Sequence, residues 1–132
     1  MPAVNNPATN GQKVLVVDDE LPARKRLIAL LQAIDGYVVV GEASHGQEAL
    51  DYMAQTMPDI LLLDIRMPGV DGLAVARQLA EWSNPPAVIF CTAYDEHALA
   101  AFNSQAVAYL LKPVAREKLQ RLLQLFPSNR LE

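Results

Sequence analysis

Val14-Leu15-Val16-Val17-Asp18-Asp19 decides the fold: four apolar residues of strand length end abruptly on two carboxylates. The same construction returns as Ile60-Leu61-Leu62-Leu63-Asp64, Val88-Ile89-Phe90-Cys91-Thr92 and Tyr109-Leu110-Leu111-Lys112-Pro113. If these runs are neighbouring parallel strands, their terminal polar groups share one edge. Open α/β sheets place their sites at the carboxyl ends of strands. The expected site is therefore acidic, with a single lysine as its cation.

Outward from these runs, strand-length apolar segments alternate with stretches of helical period. The order predicts an α/β domain: a doubly wound, five-stranded parallel sheet with helices on both faces. The strands are read at Val14–Val17, Tyr37–Gly41, Ile60–Leu63, Ala87–Cys91 and Ala108–Leu111, all nearly uniformly apolar, as strands covered on both faces must be. A first helix carries Ala23, Leu27, Leu30, Leu31 and Ile34 on one stripe, starts near Pro22 and stops by Gly36. A second turns Ala49, Leu50 and Met53 inward between Gly46 and Pro58. A third does the same with Leu73, Ala76, Leu79 and Ala80 before Ser83-Asn84-Pro85-Pro86. A short, alanine-rich fourth helix over Glu96–Asn103 buries little beyond Leu99 and Phe102. A fifth, with Leu119, Leu122, Leu123 and Phe126, closes the domain.

A chain of 132 residues with 52% hydrophobic side chains supports one core and one domain. Eleven Lys and Arg against fifteen Asp and Glu give a net charge of −4, which argues against nucleic-acid binding by bulk charge. The single cysteine, Cys91, lies inside an apolar run, so it reads as a buried inert thiol in a reducing cytoplasm. Residues 1–12 carry neither a signal-peptide pattern nor a membrane span and read as a flexible leader. Residues 13–126 form the domain, and 127–132 a tail or the start of a linker.

Adjacent Asp18 and Asp19, with Asp64 brought beside them, repel one another unless a cation intervenes. Mg²⁺ suits them, since it prefers hard oxygen ligands and completes its octahedral shell with waters and phosphate. The alternative is that Asp18-Asp19 caps the first helix while Asp64 begins a turn. Asp64 opens into Ile65-Arg66-Met67-Pro68-Gly69-Val70-Asp71-Gly72, a loop that leaves its carboxylate open to a substrate, and carboxylates do attack phosphorus to give aspartyl phosphates. Lys112 would then stabilise charge on the transferring oxygens, and Thr92 would offer its hydroxyl to one of them. Plainer roles are a surface lysine and a buried strand threonine. Lys112-Pro113 is a candidate cis bond, and Gly69 and Gly72 suit tight turns.

These motifs, Val-Asp18-Asp19-Glu20, Leu-Leu-Asp64-Ile-Arg66-Met-Pro-Gly69, Cys91-Thr92-Ala-Tyr94 and Tyr109-Leu-Leu-Lys112-Pro113, closely resemble the receiver domains of two-component response regulators from Lys13 to Phe126. The resemblance implies a flavodoxin-like (βα)5 fold of strand order 2-1-3-4-5 and phosphorylation on Asp64 by a histidine kinase. It also implies Mg²⁺ held by Asp18, Asp19, Asp64 and the backbone carbonyl of Arg66, with the phosphoryl group bound by Thr92 and Lys112. Small acyl-phosphate donors would be substitutes for the kinase. Such a domain is a signalling receiver that assists its own phosphorylation and dephosphorylation. In the resembled family Thr92 and Tyr109 form a switch that remodels the face of the fourth helix, fifth strand and fifth helix, where dimers or output domains dock. Arg66 and Tyr94 would tune phosphate lifetime.

The stretches Phe90–Phe102 and Ala108–Val114 resemble more narrowly the AlgR/LytTR-type regulators, so DNA would be contacted only through an output domain outside this chain. His45 and His97 have no partner at ligand spacing and read as surface residues, and Trp82 as a packing residue ending the third helix. A haloacid-dehalogenase-like phosphatase would need a second Asp where Arg66 stands. Dinucleotide binding fails for want of a Gly-rich phosphate loop. A phosphorylation-independent interaction module is the remaining alternative.

Overall fold

Alternation along the strands divides the core into two layers. In the computed structural model, which describes residues 11–93 and 108–126, Val14, Val16, Ile60, Leu62, Ile89, Cys91 and Leu110 face one side of the sheet. Leu15, Val17, Leu61, Leu63, Val88 and Phe90 face the other. Successive strand side chains point to opposite faces, so uniformly apolar strands must be covered twice. Helices α1 (Leu21–Gln32) and the C-terminal helix (Arg116–Leu123) cover the first layer; α2 (Gly46–Thr56) and α3 (Gly72–Leu79) cover the second.

The strands are β1 (Gln12–Val17), β2 (Tyr37–Ala43), β3 (Ile60–Leu63), β4 (Ala87–Thr92) and β5 (Ala108–Leu111), all parallel in the order β2-β1-β3-β4-β5. The doubly wound sheet and the 2-1-3-4-5 order are as expected. Double coverage holds for β3 and, apart from their first residues, for β1 and β4. The edge strands depart from it: residues of β2 before Ala43 are only partly buried, and Leu111 of β5 is 49% exposed. An edge strand has a neighbour on one side only, so its flanks lie closer to solvent.

Boundaries moved where local chemistry overrode the apolar pattern. β2 continues through Glu42 to Ala43 because both pair in register with Val16 and Val17. In α3, Val75 is buried and Ala80, expected on the inward face, is exposed at the C-cap. Pro22 occupies the first turn of α1 as expected, but the helix stops at Gln32, and Gly36 serves the following turn with a φ of +97°. The predicted helix over Glu96–Asn103, with Tyr94 and His97, lies outside the described residues.

Candidate functional site

Each of the three strands that carry a charged site residue hands it over in the same way. Asp18, Asp64 and Lys112 each directly follow the last residue of β1, β3 and β5. The Asp18 amide donates to Ala43 O at 3.0 Å, the Asp64 amide to Val17 O at 2.9 Å, and the Lys112 amide to Thr92 O at 2.8 Å. The ladder thus runs one residue past the strands and fixes each α-carbon before its side chain leaves the sheet. Thr92, the last residue of β4, is buried and sits in register with Leu111.

The side chains converge. Lys112 Nζ lies 2.7 Å from Asp18 Oδ2 and 3.5 Å from Asp64 Oδ2, with exposed Glu20 4.0 Å away. Oxygens of Asp18, Asp19 and Asp64 lie within 4.8 Å of one another. Asp18 is fully buried and Asp64 is 6% exposed, whereas Asp19 is open to solvent. Burial, and then the neighbouring charge of Asp18, pushes the Asp64 carboxyl up to about 6 despite the attraction of Lys112. Burial alone would lower the Lys112 ammonium, but its contacts with Asp18 and Asp64 outweigh that and hold it above the usual lysine range.

The capping alternative for the acidic pair does not describe its geometry. Glu20 is the N-cap of α1 and makes no side-chain cap; Asp18 Oδ1 instead accepts the Glu20 amide at 2.9 Å. Asp18 Oδ2 is enclosed, 2.7 Å from the Lys112 ammonium. A buried carboxylate oxygen beside two further carboxylates is a donor set that suits a hard divalent cation.

The loop after Asp64 is held tightly from behind. Ile65 and Met67 are buried in the core, Gly69 turns the chain with a φ of +76°, and the Gly72 amide donates to Ile65 O at 2.8 Å. A Cβ at Gly72 would strike the Asp64 carbonyl oxygen, so only glycine lets α3 start this close to the site. Arg66 is exposed two residues beyond Asp64. Tyr109 is half-buried against the layer containing Phe90, its register partner. The Lys112–Pro113 bond is cis. Cys91 is free and fully buried, and burial pushes its thiol up to about 12.

Two residues with functions in the structure were passed over in the sequence. His45, read as a bare surface residue, caps α2: its Nδ1 accepts the Glu48 amide at 3.3 Å, while the Ser44 amide donates to Glu48 Oε1 at 2.8 Å. The spacing of a polar residue and a Glu three positions later was the available signal. Arg24 reaches the Asp18 carbonyl oxygen, and nothing in a helical stripe announces that. Trp82 packs as expected, half-buried against the α2–α3 layer.

Residues 14–124 match the response regulator receiver domain. The chain belongs to that family. This receiver is 57% identical over 112 residues to the positive alginate biosynthesis regulatory protein of Pseudomonas aeruginosa, covering 84% of this chain and 45% of that protein. It is 41% identical over 118 residues to the sensory transduction protein LytT of Bacillus cereus, covering 89% and 48%. The receiver therefore spans about half the length of these relatives. Among solved structures it is similar to the response regulatory domain of mrkE from Klebsiella pneumoniae, with a TM-score of 0.78 and 32% identity over 86% of this chain and 93% of that one. The CheX-CheY-BeF3-Mg²⁺ complex of Borrelia burgdorferi matches with a TM-score of 0.80 and 29% identity over 93% and 96%. Receivers are signalling domains of two-component systems, partner with histidine kinases and bind Mg²⁺ at an acidic pocket. No helix among the described residues is long and apolar enough to cross a membrane.

Proposed function

We propose that this receiver accepts a phosphoryl group on Asp64 from the phosphohistidine of a sensor kinase. The observation that carries the reading is the convergence of Asp18, Asp64 and Lys112 from three strand ends, with Lys112 Nζ at 2.7 and 3.5 Å from the two carboxylates. An Asp64 oxygen attacks phosphorus in line, the P–O bond forms as the P–N bond breaks, and the imidazole leaves. Lys112 follows the negative charge as it shifts from carboxylate to phosphoryl oxygens, and the Thr92 hydroxyl donates to one of them. The side chains of Asp18, Asp19 and Asp64 and the Arg66 carbonyl would hold Mg²⁺, which supplies charge neutralisation and orients the phosphoryl oxygens.

Drawing Thr92 toward the phosphoryl group changes the packing beside Tyr109, two register positions down the β4–β5 pair. The population shift can be no larger than the difference in phosphoryl interaction between the two packings. In this reading residues 13–126 are the receiver, 127–132 a tail or the start of a connection, and 1–12 a leader whose last residue, Gln12, already belongs to β1. The twofold length of the relatives supports a LytTR-type DNA-binding output domain controlled through the fifth strand and its flanking helices, which also form a homodimer face. A cytoplasmic setting accords with such a regulator.

Intact mass spectrometry after incubation with acetyl phosphate and Mg²⁺ tests the assignment. The wild type should gain one phosphoryl group that hydroxylamine removes, and Asp64→Asn should gain none. A wild type that gains nothing, or an Asn variant that gains the same mass, refutes it.

A further inference from the structure

Arg24 lies in the first turns of α1, yet its side chain is only 15% exposed, because it folds back over the end of β1. Its Nη1 donates to the Asp18 carbonyl oxygen at 2.8 Å and its Nε to Glu42 Oε1 on β2 at 2.7 Å. Lys25 Nζ stands 3.8 Å from the other Glu42 oxygen. Asp18 is thus gripped at three of its polar groups: the amide by Ala43 O, the carbonyl by Arg24, and Oδ1 by the Glu20 amide. Its remaining oxygen, Oδ2, is the one at the acidic cluster's lysine.

We propose that Arg24, oriented by Glu42, is a positioning residue that sets the affinity of the Asp18-Asp19 corner for a divalent cation. The inference rests on reading Asp18, Asp19 and Asp64 as the cation site. The Asp18 carbonyl belongs to the peptide that joins the two aspartates, so its orientation governs where both carboxylates emerge. Mg²⁺ demands near-ideal octahedral geometry, and a rotated peptide cannot supply it. A guanidinium fork can bond a carbonyl and a carboxylate at once, whereas an ammonium is a single point on a flexible stem. Arg24 is therefore not interchangeable with lysine here. Pairing with Glu42 also offsets its own charge, so the arginine orders the corner without acting as a competing cation.

Calorimetric titration of Mg²⁺ into the metal-free protein tests this, with Asp18→Asn defining loss of the site. Arg24→Met should weaken Mg²⁺ binding about 10-fold, the lower end of what losing an outer partner costs a metal site. Arg24→Lys should recover part of that loss. Glu42→Gln should weaken binding less, and Arg24→Met combined with Glu42→Gln should be no worse than Arg24→Met alone, because both act through one contact. Urea unfolding without metal supplies the structural readout: an arginine that merely braces the fold would lower the unfolding midpoint and leave the Mg²⁺ affinity of the folded chain unchanged. That result, or an unchanged affinity in Glu42→Gln, overturns the proposal while Asp18→Asn still fails to bind. If Asp18→Asn binds Mg²⁺ like the wild type, the cation-site reading falls, and this proposal with it.

Discussion

Asp64→Asn should make the metal-free protein more stable at neutral and alkaline pH. The Asp64 carboxyl is 6% exposed and titrates at about 6 against 3.8 for a free aspartate, first because of burial and then because of Asp18. The folded chain therefore binds this proton more tightly than the unfolded chain. The resulting stabilisation is present in full below pH 3.8 and is lost as the pH rises through about 6. At about 1.36 kcal/mol per pH unit, the ionised state forgoes about 3 kcal/mol, a figure that already includes the attraction of Lys112. An asparagine is neutral throughout, so it should recover on the order of 2–3 kcal/mol near pH 8 and little at pH 4 and below. The assay is urea unfolding followed by far-UV circular dichroism in EDTA, wild type against variant across that range. Other carboxylates titrate in both proteins and largely cancel in the difference. An Asn variant less stable than the wild type at high pH, or a difference that does not change with pH, would refute the argument that burial and Asp18 raise Asp64.

Saturating Mg²⁺ acts on the same group from the other side: at one hundred times its dissociation constant it should stabilise the wild type by about 2.7 kcal/mol and leave Asp18→Asn unmoved, as read by thermal melting. Gly72→Ala should cost about 1–3 kcal/mol, because its methyl group meets the Asp64 carbonyl; an unchanged urea midpoint would show that the start of α3 can yield. Leu62→Ala, at the centre of β3 with no exposed surface, should cost about 2–5 kcal/mol by the same measurement. His45→Ala removes one exposed cap at 3.3 Å and should cost only about 0.5 kcal/mol in equilibrium unfolding.

Burial on both faces leaves little room for a polar residue inside a central strand, so Ile60–Leu63 coincides with β3, whereas β1 begins two residues before its apolar run, at Gln12, and β4 ends one residue after it, at Thr92. That logic weakens at an edge. Glu42 belongs to β2 by its pairing with Val16, but its polarity, tolerable where a strand is half-covered, ends the apolar pattern at Gly41. Ala80 failed for a related reason: alanine is small enough to sit on either side of a helix end, so helical spacing alone could not separate it from the buried Val75. Arg24 acts through the Asp18 carbonyl, a partner set by a chain path that periodicity does not describe, whereas the His45 cap was legible in its spacing from Glu48.

At the site, what could be read was which residues share an edge, and what could not was how they are held there. Asp18, Asp64 and Lys112 were found because each interrupts an apolar run, a signal carried by the residue and its immediate neighbours. Their anchoring comes from Ala43, Val17 and Thr92, residues of adjacent strands, and it exists only once the order β2-β1-β3-β4-β5 is set. Each site residue's amide thus donates to a carbonyl of the strand before it in the sheet, and for Asp18 that strand is the edge strand β2. The edge is the weakest of these supports, since β2 has no outer neighbour. It is also where Arg24 and Glu42 add a second tie between β2 and the acidic corner. Among the described residues, the carboxylate with no exposed surface, Asp18, is therefore the one whose backbone is secured both by the sheet and by a helix side chain.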